Sequence, residues 1–468
     1  MQSGMKRAIQ VFIGFIFIIL VVSEFSCQGG KKESPAELPA KPNILWLVAE
    51  DLSPNIPPFG DSTIQTPALS RLAAKGIRYI NVYSVSGVCS PSRAAIATGM
   101  YPSGIGAHHM RTLHQQPAAR EMGIIDYECV PPYLPETDAV VQDVRRMYSN
   151  IVEMDRHVGL VLKQLEEDGL LENTIIVWYA DHGGPLPRQK RLVYDSGLKV
   201  PMIIRFPGKW RAGEIDDRLI SFIDFAPTLL SMCSIQPPEY MDGQAFEGKY
   251  QSHNPRKYIH AAADRFDEKY DMIRAVRDKR FKYLKNFQPK KGYYLALDYR
   301  EKMATMQELL RLRNEGKLNE IQMQWLRSSK PVEELFDTDN DPHEINNLAG
   351  DPAYAEKLSE LRAECERWIE EIGDMGLIPE EELINQFWPG KIQPVTGAPV
   401  VKKEDGKIQL HCDTEGASIG YKLGSDEVPW KGWRIYSEPF EIPEGESVKI
   451  VAHRIGYAPS DTLVVSKQ

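Results

Sequence analysis

Two short apolar runs constrain the fold most. Residues 43–49 (NILWLVA) carry no charge and run into Glu50-Asp51, and residues 175–180 (IIVWYA) run into Asp181-His182-Gly183-Gly184. Uninterrupted apolar runs of this length read as strands buried on both faces, the pattern of a parallel sheet between helical layers. In open α/β sheets ligands bind at the carboxyl edge, and both runs deliver oxygen ligands there. The glycines after His182 let backbone approach closely. Either run alone reads equally well as a strand ending in solvated acids, but two of them point to a site.

The segments between fit the same architecture. Thr66-Pro67 opens a helix to Ala74, with Leu69, Leu72 and Ala73 on one face. Residues 77–83 form the next strand, feeding a turn at Cys89. Val141, Val144, Tyr148, Ile151, Met154, Val158 and Val161 recur at helical spacing and predict one long helix over 138–168. A strand over 197–205 and a helix over 224–232 follow. Beyond about residue 250 the texture changes to a hairpin within 273–286, charged helices near 303–313 and 353–372, and a polar, turn-rich segment over 341–348.

The turn at Cys89 is the most specific stretch, reading Cys89-Ser90-Pro91-Ser92-Arg93 and then an alanine-rich run to Thr98-Gly99. Pro91 suits a first helical turn and the alanines favour helix. Residue 89 therefore sits at a helix N-terminus, which favours an anion, and Arg93 lies one turn on, able to brace an oxyanion. The bland alternative is a buried cysteine before an ordinary helix. A little further on, His108-His109-Met110-Arg111 reads either as a solvated loop or as one facing a substrate, with His108 and His109 as candidate contacts.

Composition bounds the function. A net charge of −9 over 468 residues argues against a nucleic-acid surface. An anionic substrate must then be caught by a local basic pocket. The six cysteines, Cys27, Cys89, Cys129, Cys233, Cys365 and Cys412, include no C-x-x-C pair. Cys129, Cys233, Cys365 and Cys412 are expected as buried thiols.

These residues resemble the formylglycine-dependent sulfatases over about 42–372. The Cys-x-Pro-Ser-Arg block matches the signature in which the cysteine becomes an aldehyde after translation. The resemblance implies an α/β, alkaline-phosphatase-like sandwich around a mostly parallel sheet, with a smaller α+β C-terminal subdomain. It implies a divalent cation, usually calcium, held by Glu50, Asp51, residue 89, Asp181 and His182. Lys190, four residues before Tyr194-Asp195-Ser196-Gly197, matches the lysine that holds sulfate, beside Cys89 and Arg93 as catalytic residues. The stretches 148–159 and 341–348, with Asp264-Arg265, are most similar to the heparan N-sulfatase branch, which makes Arg265 a candidate substrate contact. The implied partners are a sulfated glycan or other sulfate ester and a formylglycine-generating, or sulfatase-maturating, enzyme.

The chain departs from that family in one place. Sulfatases carry two further strands between the cysteine and the second acidic pair, bringing a lysine and histidines for sulfate binding and proton transfer. Here residues 101–138 hold no strand-like run, and the only lysine between Arg93 and Asp181 is Lys163, within the long helix. About a hundred residues are missing near 111–138, which predicts slow turnover.

Three functions stay open: an exported sulfatase; a metal-dependent phosphodiesterase or phosphonate hydrolase; and a surface lipoprotein that binds sulfated glycan without turning it over. Lys6-Arg7 and the apolar run 9–22 read as an export signal leading to Cys27, a candidate lipid anchor, with plain signal cleavage as the alternative. The expected location is the periplasm or outer membrane of a bacterium. The expected divisions are a signal over 1–27, a linker over 28–41, a catalytic domain over 42–250, a subdomain over 251–390 and a small β-sandwich over 394–468. In that last part Trp430 and Trp433 suit either sugar stacking or packing.

Overall fold

The computed structural model describes residues 42–109, 130–266, 269–424 and 432–466. Cys27 and Cys129, the signal and linker segments, Met110, Arg111 and Trp430 lie outside the described residues. Among those described, no helix is long and apolar enough to cross a membrane. The chain forms two compact units that divide between Gly373 and Asp374.

The first unit is built on a six-stranded sheet. Its strands are β1 (Asn43–Ala49), β2 (Ile77–Tyr83), β3 (Thr174–Ala180), β4 (Lys199–Arg205), β5 (Ile215–Asp216) and β6 (Ile220–Ser221), in the order β1-β3-β4-β2-β5 with β6 also on β2. β1 and β3 are parallel, as are β2 with β5 and β6, while β4 runs antiparallel to both its neighbours. Five strands therefore share one sense, and the ends of β1, β2 and β3 reach one edge. α1 (Pro67–Ala74), α2 (Cys89–Thr98), α3 (Asp138–Glu167) and α4 (Phe225–Met232) accompany the sheet.

Alternation along β3 shows how the core is divided. Tyr179 meets Phe222 and Phe225 at 5.8 and 4.9 Å between ring centroids. Its neighbour Trp178, equally buried, points to the opposite face. All seven residues of β3 are buried, as its apolar run requires. β1 differs from the sequence expectation of a fully buried strand. It is an edge strand, Val48 is 40% exposed, and Ile44, Leu45, Trp46 and Leu47 are half-buried. Its run is apolar enough for the middle of a sheet, yet among the described residues no strand pairs with its outer side.

A second, antiparallel sheet follows in the order β10-β9-β8-β7, from β7 (Ile259–Ala263), β8 (Ile273–Arg277), β9 (Phe281–Asn286) and β10 (Glu333–Asp337). The helix Ala355–Glu371 packs on β8 and β9, burying Leu358, Leu361, Cys365 and Trp368. The two sheets meet where Ala262 N–H donates to Val85 O at 2.9 Å, four residues before Cys89.

The second unit holds a two-stranded sheet and a four-stranded one around Ile408, Leu410, Ile419, Ile442, Val448, Ile450 and Ala452. One of its strands is only two residues long, Arg434–Ile435, and Phe440 adds a single bridge to Ile408. Trp433 lies against Gly420, where an added Cβ would meet its ring at 3.4 Å. Of the expected buried thiols, Cys365 is buried, whereas Cys412 is half-buried and Cys233 exposed. Cys233 caps the C-terminus of α4, where the helix reaches solvent.

Candidate active site

Register places the acids. Ala49 pairs with Ala180, so Glu50-Asp51 and Asp181-His182 leave the sheet side by side. Asp181 N–H donates to Ala49 O at 3.0 Å, Leu52 N–H to His182 O at 3.2 Å, and Asp51 N–H to the Asp181 carboxylate at 3.1 Å. Asp51 takes a left-handed φ of +54°, which disfavours any residue with a Cβ by about 1 kcal/mol or more. That turn swings its carboxylate back over the strand ends. Gly183 leaves no room for a side chain, since a Cβ there would stand 2.2 Å from Ser196 O.

Cys89 is delivered from the end of β2. Cys89 is the first residue of α2, and Ser92 explains part of the motif. Its hydroxyl is fully buried, donates to Ser86 O at 2.7 Å and meets the Ser84 hydroxyl, pinning the first turn to the preceding loop. The Cys89 thiol lies 3.3 Å from His182 Nε2, 3.5 Å from Glu50 Oε1 and 3.9 Å from Lys190 Nζ. Arg93 reaches Asp181 at 3.1 Å and Glu50 at 3.5 Å. Lys190 clasps both oxygens of Asp51 at 2.6 and 2.8 Å, and His182 Nε2 lies 3.0 Å from Asp51 Oδ1.

The charges respond to this crowding. Burial pushes the Asp51 carboxyl up, but bonds from His182 and the charge of Lys190 outweigh it and hold the group at about 2. Burial pushes His182 down, and its bonds to Asp51 and Cys89 carry it instead up to about 10. Lys190 is raised because Asp51 outweighs its own desolvation.

The donor set fits a divalent cation. Ligand atoms of Asp51, Cys89 and His182, and likewise those of Glu50, Cys89 and Asp181, lie within 4.8 Å of one another. Glu50, Asp51 and Asp181 bring carboxylate oxygens, the hard donors that divalent cations such as calcium take, to these two overlapping groups. His182 Nδ1 faces Gly183 O at 3.0 Å, which fixes the ring with Nε2 toward the cluster, the usual backing of a metal-ligating imidazole.

Every metal and catalytic candidate from the sequence thus meets at one point. Among the described residues, the substrate candidates lie elsewhere. His108 is buried in a small cavity beneath the start of α2, among Ser86, Pro91, Tyr101 and Trp368, with the His109 ring 4.1 Å away. Arg265 follows β7, its guanidinium 5.9 Å from the Tyr270 ring. Lys163 stays on the outer face of α3, paired with Glu167. Sequence reasoning missed the residues that hold the lysine loop: Arg188, Gln189, Tyr133 and Arg300. For Arg188 and Gln189 the only signal was nearness to Lys190, and Tyr133 and Arg300 carried none, since the hydrogen bonds that join these residues span 56 to 156 positions.

Comparisons with known proteins agree with this geometry. The family model described as Sulfatase matches residues 42–127 and 122–235, and that described as N-sulphoglucosamine sulphohydrolase, C-terminal, matches 188–330. An ulvan-active sulfatase of Formosa agariphila is 47% identical over 559 aligned positions, covering 93% of each chain. Since 93% of this 468-residue chain is about 435 residues, about 120 of those positions hold residues of the relative with none opposite them here. Human N-sulphoglucosamine sulphohydrolase is 26% identical, covering 57% of this chain and 55% of its own. A solved structure described as in complex with its substrate D-glucosamine-2-N,6-O-disulfate aligns with a TM-score of 0.53 at 17% identity, covering 72% of this chain and all of that one. Its likeness is one of fold, the alkaline-phosphatase-like α/β sandwich. With the Cys89 motif, the paired acids and a near-full-length relative in agreement, the chain belongs to the sulfatase family.

Proposed function

We propose that this sulfatase is an exported enzyme that hydrolyses sulfate esters or sulfamates of glycans through a formylglycine at position 89. The observation that carries it is the convergence of Cys89 with Glu50, Asp51, Asp181, His182, Arg93 and Lys190, all linked by contacts under 4 Å. Glu50, Asp51, Asp181 and His182 would hold the cation, and a mostly oxygen donor set favours calcium. When formed, the hydrated aldehyde supplies the nucleophilic oxygen and the cation Lewis-acid stabilisation of the sulfate.

The chain's own residues do the rest. Lys190 and Arg93 draw the sulfate to residue 89 and offset its charge by charge-assisted hydrogen bonds. Asp51 holds Lys190 protonated and aimed. His182 is engaged with Asp51 and Gly183, so it is not available to move protons for the leaving group. About 120 residues of the Formosa agariphila sulfatase have no counterpart here, and the interval 101–138 holds no strand-like run to present the lysine and histidines that the resemblance implies. Slow turnover, or binding without turnover, follows from that loss, since acid–base groups contribute about 10²–10⁴-fold each. The apolar run 9–22 and Cys27, read as signal and lipid anchor, support a periplasmic or outer-membrane location.

Steady-state assays on aryl sulfates, N- and O-sulfated glucosamine, phosphate diesters and phosphonates test the proposal, with metal analysis alongside. Sulfate release below about 1 s⁻¹ is expected, abolished in Cys89→Ala, with metal lost in Asp181→Ala. Preference for phosphorus substrates would overturn it. Binding of sulfated sugar with no release would favour the non-catalytic reading.

A further inference from the structure

Lys190 sits on backbone that does not hold itself. Arg188 and Arg191, on either side of it, have left-handed φ values of +67° and +80°, a conformation that side chains bearing a Cβ resist unless their surroundings enforce it. The enforcement comes mainly from Arg188. Its side chain is 3% exposed, and among the described residues no carboxylate lies within ion-pair distance of it. Its guanidinium lies against two rings instead, 4.1 Å from the centroid of Tyr194 and 4.7 Å from that of Tyr133. Its two terminal nitrogens donate to His343 O at 2.8 Å and Glu344 O at 2.7 Å. A planar cation held against two rings, with its fork on two carbonyls, has little freedom to move.

Lesser ties complete the bracket. Gln189 donates to the Tyr133 hydroxyl at 3.1 Å, Arg191 N–H donates to Gly87 O at 2.8 Å, and Arg300 Nη2 donates to Lys190 O at 3.2 Å. Gly87 lies two residues before Cys89, so the lysine loop and the nucleophile turn are fastened to each other.

We propose that Arg188 is the positioning residue of Lys190: held against Tyr133 and Tyr194 and anchored to residues 343–344, it forces the left-handed turn that aims the lysine at Asp51 and residue 89. Arg188 touches none of the reacting groups, and it acts only through the backbone. This rests on the proposed role of Lys190 as the sulfate-holding cation. The bracket is built from three distant stretches, Tyr133, Arg188-Tyr194 and His343-Glu344, which makes the aim of one side chain a property of the whole first unit. Lysine at position 188 keeps the charge but lacks both the flat face and the fork.

The test reads Lys190 directly. Acylation of individual lysines by an N-hydroxysuccinimide ester, followed by peptide mass spectrometry, is compared between wild type, Arg188→Lys and Tyr133→Leu. Lys330, 0% exposed and paired with Asp271, serves as the internal control. Arg188→Lys should speed acylation of Lys190 about tenfold by local release, with Lys330 unchanged. Tyr133→Leu, which removes one ring and leaves the carbonyl bonds, should give a smaller rise in the same lysine. If both lysines accelerate together, Arg188 only supports the fold, and if Lys190 does not change it plays no positioning role. Either result overturns the proposal. Inorganic sulfate binding separates the two layers. Loss of affinity in Lys190→Ala upholds the sulfate role whatever Arg188 does, and unchanged affinity removes it.

Discussion

At the scale of single residues, buried ionisable groups near the lysine loop have consequences that pH reveals. Glu334, 4% exposed on β10, accepts from Asn286 at 2.9 Å and faces the Tyr194 hydroxyl at 3.4 Å. Burial pushes its carboxyl from 4.5 up to about 7. The sign is the reverse of the usual carboxylate. The folded state binds this proton more tightly than the unfolded state, so stability falls as pH rises from 4.5 to 7, by about 3 kcal/mol if the other groups stay fixed. Glu334→Gln should therefore raise the urea midpoint at pH 8 and leave it nearly unchanged at pH 4.5. Equal shifts at both pH values would mean the carboxyl is not held neutral.

Residues also show what a sequence makes legible. Glu50, Asp51, Asp181 and His182 could be placed because each follows an apolar run, and strand register does the rest. Lys190 could be matched to a motif, but its aim could not. That depends on Tyr133, 57 positions earlier, and on carbonyls some 150 positions later. His108 was a candidate by nearness in sequence to Cys89, yet the turn at 101–104 folds it beneath α2.

Among the elements, β1 stands apart. Local propensity correctly identified it as a strand and tied its end to the site, but its position in the sheet is a property of its neighbours. An uncharged edge strand with half-exposed Ile, Leu and Trp side chains is a template for unwanted pairing, which edge charges normally prevent. Concentration-dependent association is therefore expected in sedimentation velocity. Val48→Lys, at a side chain 40% exposed, should suppress it. A monomer at all concentrations in both proteins would show that the edge is covered. β4 was likewise read as a strand, while its antiparallel sense, which no local pattern encodes, emerged only from the sheet.

For the whole molecule, one edge of one sheet gathers the residues the proposed chemistry calls for. The proposed cation ligands leave β1 and β3, Cys89 follows β2, and Lys190, the proposed sulfate contact, stands on a loop tied to residues 343–344 beyond β10. The proposed sulfatase chemistry requires that residue 89 become an aldehyde, because its hydrate supplies the attacking oxygen. The mass of the proteolytic peptide spanning Cys89, from protein made in a host with a sulfatase-maturating enzyme, tests this most directly. A mass corresponding to the aldehyde or its hydrate in place of the thiol is predicted, and an unmodified cysteine in that protein would contradict formylglycine chemistry at this site.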